Sequence, residues 1–344
     1  MTPSQTSFSD LRIAMPHGAG GHATRRLVEG LFALAFSNPS LDARGDAAEL
    51  ACGVERLCFT TDSFVVKPLR FPGGSIGELA VNGTLNDLAV SGAEPLALSV
   101  AFILEAGLEA DVLREEVEAM AHAARRAGVP IVAGDTKVVE HGKADGLYIT
   151  TSGVGRLDAR ARLGPGRVRP GDAVLVSGPI GDHGVTILLA RGEVDLESDV
   201  CSDTRCVLPM TRALIAALGD GLRWMRDATR GGVATVLNEL ARDASLNVTL
   251  REETIPVRDV VRGAAELLGI DPLHVANEGQ FVAVVDGALA ELALETLRHA
   301  PGGAQAAIIG EVRATPAATV LGRSAFGGSR VIDMLVGDPL PRIC

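Results

Sequence analysis

Apolar and polar positions along the chain follow two rhythms, period two and period 3.6, which predict strands and helices in turn. Residues 57–67 (LCFTTDSFVVK) read as a strand with Asp62 in its middle. Residues 76–90 read as a helix carrying Asn86 and Asp87, and residues 95–104 as a buried strand. Val112, Leu113, Val117, Met120 and Ala124 mark a helix over 109–127 that stops at Gly128. Strands follow over 129–140 and 146–155. Between Arg160 and Gly171 the periodicity gives way to Gly, Pro and Arg, which places a domain boundary there. The second half predicts strands over 172–177, near Val248, over 281–285 and near Ile308 and Val320. Its helices are expected after the GPIGDHG run and over 203–218, 233–244, 259–268 and 287–299. The helices read as consecutive pairs, which favours two α+β domains over a doubly wound sheet. The expected division is 1–160, 161–335 and a tail, 336–344.

Composition narrows the class. With 47% hydrophobic and 22% charged residues, the 344-residue chain has enough apolar surface for two cores. A net charge of −11 argues against a nucleic-acid or anionic-membrane surface and is compatible with carboxylates that hold Mg²⁺. The five cysteines are odd in number and irregularly spaced, so no disulfide framework is expected. No basic leader with an apolar core precedes the first domain, and the apolar stretch near 96–104 is too short to span a bilayer. A cytoplasmic location is the expectation.

Several stretches carry candidate chemistry. Gly18, Gly20 and Gly21 lie in an HGAGG run whose backbone could wrap a phosphate, although a plain leader reads equally well. Asp62 is expensive to bury unless paired or bound to a cation. Asp135 and Lys137, two apart on a strand, share a face; this suits Mg²⁺ beside phosphate, or a simple local ion pair. His183 stands at a helix start, a place more often solvated than catalytic. Asp227, Gly231 and Gly232 precede a helix, a ready anion site, with helix capping as the plainer reading of Asp227. The chain ends in PLPRIC, so Cys344 offers a thiol on an extended arm or is merely a frayed terminus.

Together these stretches resemble the HypE family of hydrogenase maturation proteins, carbamoyl dehydratases of the PurM-like ATP-binding superfamily. The carrying residues are HGAGG at 17–21, TTDSFVV at 60–66, FPGG at 71–74, NDLAVSGAEPL at 86–96, GDTKVV at 134–139, GDHG at 181–184, RDATRGG at 226–232, ANEG at 276–279 and PRIC at 341–344. The terminal PRIC is the specific part; the rest marks ATP and Mg²⁺ chemistry. The chain departs at Ser75, where an Asp is expected after FPGG, and at 202–209, where Thr204, Arg205 and Cys206 intervene after Ser202 and Asp203.

The resemblance implies a two-domain PurM-like fold, a homodimer whose N-terminal sheets pair into a shared barrel, and a mobile C-terminal tail. A carbamoyl group delivered by HypF would sit on the Cys344 thiol, be phosphorylated from ATP, and lose phosphate to leave a thiocyanate. Its cyanide would pass to iron on the HypC–HypD scaffold of [NiFe]-hydrogenase assembly. Asp46, Asp62, Asp87, Asp135 and Asp227 match the superfamily's metal and nucleotide carboxylates. The glycines at 18, 20, 21, 231 and 232, with Lys137, would meet the nucleotide. Glu278 is the first candidate for the base that deprotonates the amide nitrogen, and His183 the second. Arg342 is the cation expected to ease ionisation of the thiol. Rival readings are another PurM-like enzyme, such as a selenophosphate synthetase, or a metal-carrying scaffold built on Cys201, Cys206 and Cys344. The first lacks its expected Cys or selenocysteine with Lys in the N-terminal loop.

Overall fold

The computed structural model describes residues 8–11, 13–18, 21–32, 35, 46–53, 55–192, 198–335 and 342–344. A short helix α1 (His22–Leu27) precedes the strands β1 (Ala48–Cys52) and β2 (Glu55–Phe64), a small ribbon of β3 (Arg70–Phe71) and β4 (Gly74–Ser75), then α2 (Ile76–Val90). The strand β5 (Ala93–Glu105), helix α3 (Ala110–Ala127), and strands β6 (Ile131–Val139) and β7 (Leu147–Leu157) complete the N-terminal half. Its main sheet has the order β1-β2-β7-β5-β6, antiparallel except where α3 crosses from β5 to the parallel β6. One face of this sheet lies under α2: along β2, Cys58, Thr60 and Phe64 are buried, while Phe59, Thr61 and Ser63 face outward.

Helix α2 organises both halves. All but two of its fifteen residues are buried, and small residues let its neighbours approach closely. A Cβ at Gly77 would fall 2.3 Å from the Glu116 carbonyl oxygen on α3, and one at Gly83 2.9 Å from Phe64. Glu116, itself buried, accepts the Gly77 N–H at 2.9 Å and pairs with Arg70.

The C-terminal half begins with β8 (Ala173–Val176), α4 (Asp182–Ala190) and α5 (Leu208–Leu218). It continues through β9 (Leu222–Asp227), α6 (Gly232–Asp243), β10 (Asn247–Arg251), α7 (Asp259–Leu268), β11 (Phe281–Val285), α8 (Ala290–His299), β12 (Ala307–Arg313), β13 (Thr319–Arg323) and β14 (Ser329–Val331). The sheet order is β14-β13-β10-β12-β8-β11-β9. Both of its faces are covered. Val174, Val176, Val282 and Val284 pack with α6 residues, whereas Ala173, Leu175, Phe281 and Ala283 pack with α5 and α8. Ala89 and Val90 of α2 join the second cluster, so the two halves share a core at the α2–α5 contact.

Two expectations need correction. Helices stand singly between strands except for α4 and α5, so the α+β character comes from antiparallel pairing rather than from paired helices. The helix expected over 203–218 starts only at Leu208. Pro209 suits a first turn, having no N–H to satisfy, while residues 202–205 are engaged in tertiary hydrogen bonds. Gly77→Ala should separate α2 from α3 and lower stability by about 1–3 kcal/mol. The expected result is a lower urea midpoint by circular dichroism, and an unchanged midpoint would mean that the two helices yield freely.

Candidate active site

Strand alternation and helical spacing bring four aspartates towards one region. Thr60 and Asp62 point from β2 towards α2, on which Thr84 and Asp87 lie three residues apart and so share a face. Asp227 ends β9, and Asp46 lies just ahead of β1. The Thr60 hydroxyl donates to Asp87 Oδ2 at 2.6 Å and the Thr84 hydroxyl to Asp62 Oδ2 at 3.0 Å. Arg226 donates to Asp46 at 2.6 Å and to Glu239 at 2.7 Å. Burial raises the proton affinity of all four aspartates. Repulsion from neighbouring carboxylates adds to burial at Asp87 and Asp227, holding both well above the ordinary carboxylate range.

This all-oxygen donor set has the hard chemistry that suits Mg²⁺, and a cation would relieve the repulsion that burial creates. Among the described residues, however, no three side chains already surround one point as metal ligands would. Asp135 and Lys137 do not join the cluster within one chain. Register places Asp62 opposite Thr151, Thr151 opposite Val100, and Val100 opposite Gly134, so Asp135 projects from the other face of the sheet. There it is exposed and accepts two bonds from Lys137, at 2.8 and 2.7 Å.

Glu278 comes to the region on the turn before β11. It is buried, and its Oε1 has no hydrogen-bond partner among the described residues. Its proton affinity is raised well above the usual range by burial and then by Asp227 and Asp203, against the pull of Arg230. Gly231 and Gly232 hold left-handed backbone, with φ of 75° and 60°, at the start of α6. Their lack of a side chain is already needed for packing: a Cβ on Gly231 would fall 2.2 Å from Thr235 Oγ1, and one on Gly232 2.5 Å from the Leu273 carbonyl oxygen. In the N-terminal loop, Gly18 ends a short 3₁₀ turn and Gly21 precedes α1, whose first N–H bonds Leu335 O at 3.3 Å. Gly20 lies outside the described residues.

The last three residues are docked against the same region; residues 336–341 of the expected mobile tail lie outside the described residues. Ile343 is buried in the N-terminal core with Phe64, Val66 and Ile76. The His183 Nε2 lies 2.7 Å from the Ile343 carbonyl oxygen, and Val65 N–H donates to the Cys344 oxygen at 3.1 Å. Arg191 donates to the Arg342 carbonyl. The Cys344 residue is half-buried. Burial pushes its thiol up to about 12; Arg230 pulls the other way, while Glu278, Asp62 and Asp227 push further up.

Two assignments change as a result. Arg342 pairs with Asp145, so the cation facing the sulfur is Arg230. His183 is buried and pushed down to about 4, chiefly by burial, hence neutral. Its Nδ1 meets Ser202 Oγ at 2.8 Å, so both ring nitrogens are engaged and neither is placed as a base in this arrangement. Sequence reasoning missed Arg230, although it sat inside a quoted motif, and missed Thr60 and Thr84, whose spacing from Asp62 and Asp87 was the available signal. Cys201 is exposed and Cys206 half-buried, and no metal-ligating group joins them to Cys344 among the described residues.

Residues 44–157 match the family model described as AIR synthase related protein, N-terminal domain, and residues 169–322 match the corresponding C-terminal domain. The chain is 50% identical over 338 residues to the carbamoyl dehydratase HypE of Azotobacter vinelandii, covering 97% of this chain and 99% of that one. It is 45% identical over 339 residues to HypE of Escherichia coli (strain K12), covering 96% and 99%. Among solved structures, a HypE–HypF complex superposes with a TM-score of 0.85 at 44% identity, over 90% of this chain and 99% of that chain. A hydrogenase maturation protein HypE in complex with ATP gives 0.81 at 43% identity, over 97% and 100%. With both domain models matched and about half its residues shared along nearly the full length of such relatives, the chain belongs to the HypE family of carbamoyl dehydratases.

Proposed function

We propose that the chain uses ATP to dehydrate a carbamoyl group carried on Cys344, leaving a thiocyanate whose cyanide serves the iron of [NiFe]-hydrogenase. The observation that carries this reading is the docked terminal thiol, whose charged neighbours are Arg230, Glu278, Asp62 and Asp227. A carbamoyl oxygen is a poor leaving group until it is phosphorylated, and phosphoryl transfer needs positioning and charge neutralisation more than covalent help. Loss of that phosphate together with the remaining nitrogen-bound proton forms the carbon–nitrogen triple bond.

Glu278 is the base in this scheme. Its raised proton affinity makes the ionised carboxylate a stronger base, and its Oε1 is uncommitted among the described residues. Arg230 faces the sulfur and so the group the sulfur carries. The N-terminus of α6, which Gly231 opens, offers backbone N–H groups to phosphate, while the Gly232 N–H is itself donated to Thr229 O at 2.9 Å. Asp46, Asp62, Asp87 and Asp227 would hold Mg²⁺, which supplies neutralisation of phosphate charge. His183 and Arg191 hold the tail main chain.

A half-buried thiol pushed up to about 12 is a poor acceptor, so loading by HypF requires the tail to leave its seat. HypC and HypD would receive the cyanide. The outward face of the N-terminal sheet, bearing Phe59 and Ile103 exposed, fits a homodimer in which two such sheets close a barrel. That face also carries Asp135 and Lys137, so in such a dimer any nucleotide role for them would fall at the subunit junction. No helix among the described residues is long and apolar enough to cross a membrane, and a cytoplasmic setting fits a chain with free thiols.

Docking and sulfur protonation are linked. The docked thiol binds its proton more tightly than a free one, so docking is fully favoured below about 8.5, the ordinary value of a free thiol, and weakens as pH rises towards 12. Alkylation of Cys344, followed on its terminal peptide, should therefore show an apparent pKa well above that of an unfolded chain. Ile343→Asp should bring it back towards the unfolded value. In intact-mass measurements with the carbamoyl donor, wild type should gain a carbamoyl adduct that loses water only with Mg-ATP, and Cys344→Ala should gain none. Glu278→Gln should be loaded normally yet dehydrate roughly 100-fold or more slowly. ATP hydrolysis without an adduct on Cys344 would point to a different substrate.

A further inference from the structure

The segment between α4 and α5 makes hydrogen bonds in two directions from two consecutive residues, Ser202 and Asp203. A carbonyl oxygen can only accept, so the 2.7 Å contact with Ile343 O fixes the proton of His183 on Nε2. Its Nδ1 then accepts the Ser202 hydroxyl proton at 2.8 Å, and Ser202 Oγ in turn accepts Thr204 N–H at 3.1 Å. Ser202 thus supports, by donating to Nδ1, the tautomer that the Ile343 carbonyl selects. Its own N–H is anchored on Pro72 O at 2.9 Å.

Asp203 reaches the other way. Its two carboxylate oxygens accept the N–H of Glu278 at 3.0 Å and of Gly279 at 3.2 Å. Asn86 donates to the Glu278 carbonyl at 3.2 Å and to the Arg205 carbonyl at 2.9 Å, while Arg205 Nε donates to Gly279 O at 3.0 Å. The two backbones touch: a Cβ on Gly279 would fall 1.9 Å from the Asp203 carbonyl oxygen. Neither segment can shift without the other.

We infer that Ser202 and Asp203 are positioning residues that couple docking of the Cys344 tail to the placement of Glu278. The inference rests on the dehydration reading for its consequence, although the bracket itself can be tested without any turnover. A loaded tail seated through His183 would hold Glu278 in register, and an undocked tail would leave the bracket without its partner on one side.

The test uses full-length protein with Ser202→Ala, Asp203→Asn and the double variant. Without nucleotide or donor, alkylation of Cys344 should be roughly ten-fold faster in Ser202→Ala, because a buried imidazole nitrogen loses its donor. In single turnovers of carbamoyl-loaded protein, both single variants should dehydrate more slowly, while carbamoyl transfer to Cys344, which uses the released tail, does not fall. The double variant should lose less than the product of the two single losses, as coupled residues do. Unchanged alkylation in Ser202→Ala, transfer falling in parallel with dehydration, or losses that multiply would each overturn the inference. If loaded wild type never loses water, the dehydration reading fails and the alkylation comparison alone decides the bracket.

Discussion

Like charges gathered in a poorly solvated space are the constraint on which the site depends. Asp46, Asp62, Asp87, Asp227 and Glu278 are held near one another with Arg226 and Arg230, and each carboxyl is pushed towards its protonated form, first by burial. The threonine hydroxyls at 60 and 84 offset part of this cost by donating to carboxylate oxygens. The rest is stored as an affinity for positive charge, which is what a site for a nucleotide with its cation needs before either arrives. Burial first, and then Glu278, Asp62 and Asp227 against the pull of Arg230, keep the Cys344 sulfur protonated while docked.

The fold divides this work between its halves. The N-terminal sheet and α2 supply two of the aspartates and both threonines, and the C-terminal half supplies Asp227, Arg230 and Glu278. Asn86 ties them together: its amide group holds main-chain carbonyls of Arg205 and Glu278 and accepts Val207 N–H at 2.8 Å, while its neighbour Asp87 faces the carboxylate cluster. One turn of helix therefore sets both the charge and the backbone opposite it.

Part of this was legible in the sequence because periodicity and residue chemistry act locally. Asp62 within an apolar strand announced itself by the cost of burying it, whereas Asp87 and Glu278 gained their roles only through the family resemblance. What stayed hidden depends on registry and direction. Asp135 and Asp62 lie on strands of one sheet, yet parity along the ladder sends them to opposite faces, and no reading of either strand alone reveals it. Arg342 is two residues from the sulfur, but the tail takes a positive φ there and the guanidinium turns to Asp145. The Ser202–Asp203 pair looked like an interrupted helix because polar residues that bond distant backbone leave no periodic mark.

The burial of Ile343 among Phe64, Val66, Phe71 and Ile76 of the first domain bears on how the protein is made. A ribosome emits the first domain long before it emits residue 343, so the apolar hollow that receives this side chain is presented empty throughout synthesis of the second half. Domains fold as they emerge, N-terminal first, and here the final packing of the earlier one waits for a residue that follows the second domain. Completion of that core thus reports that synthesis has passed the second domain and reached Ile343.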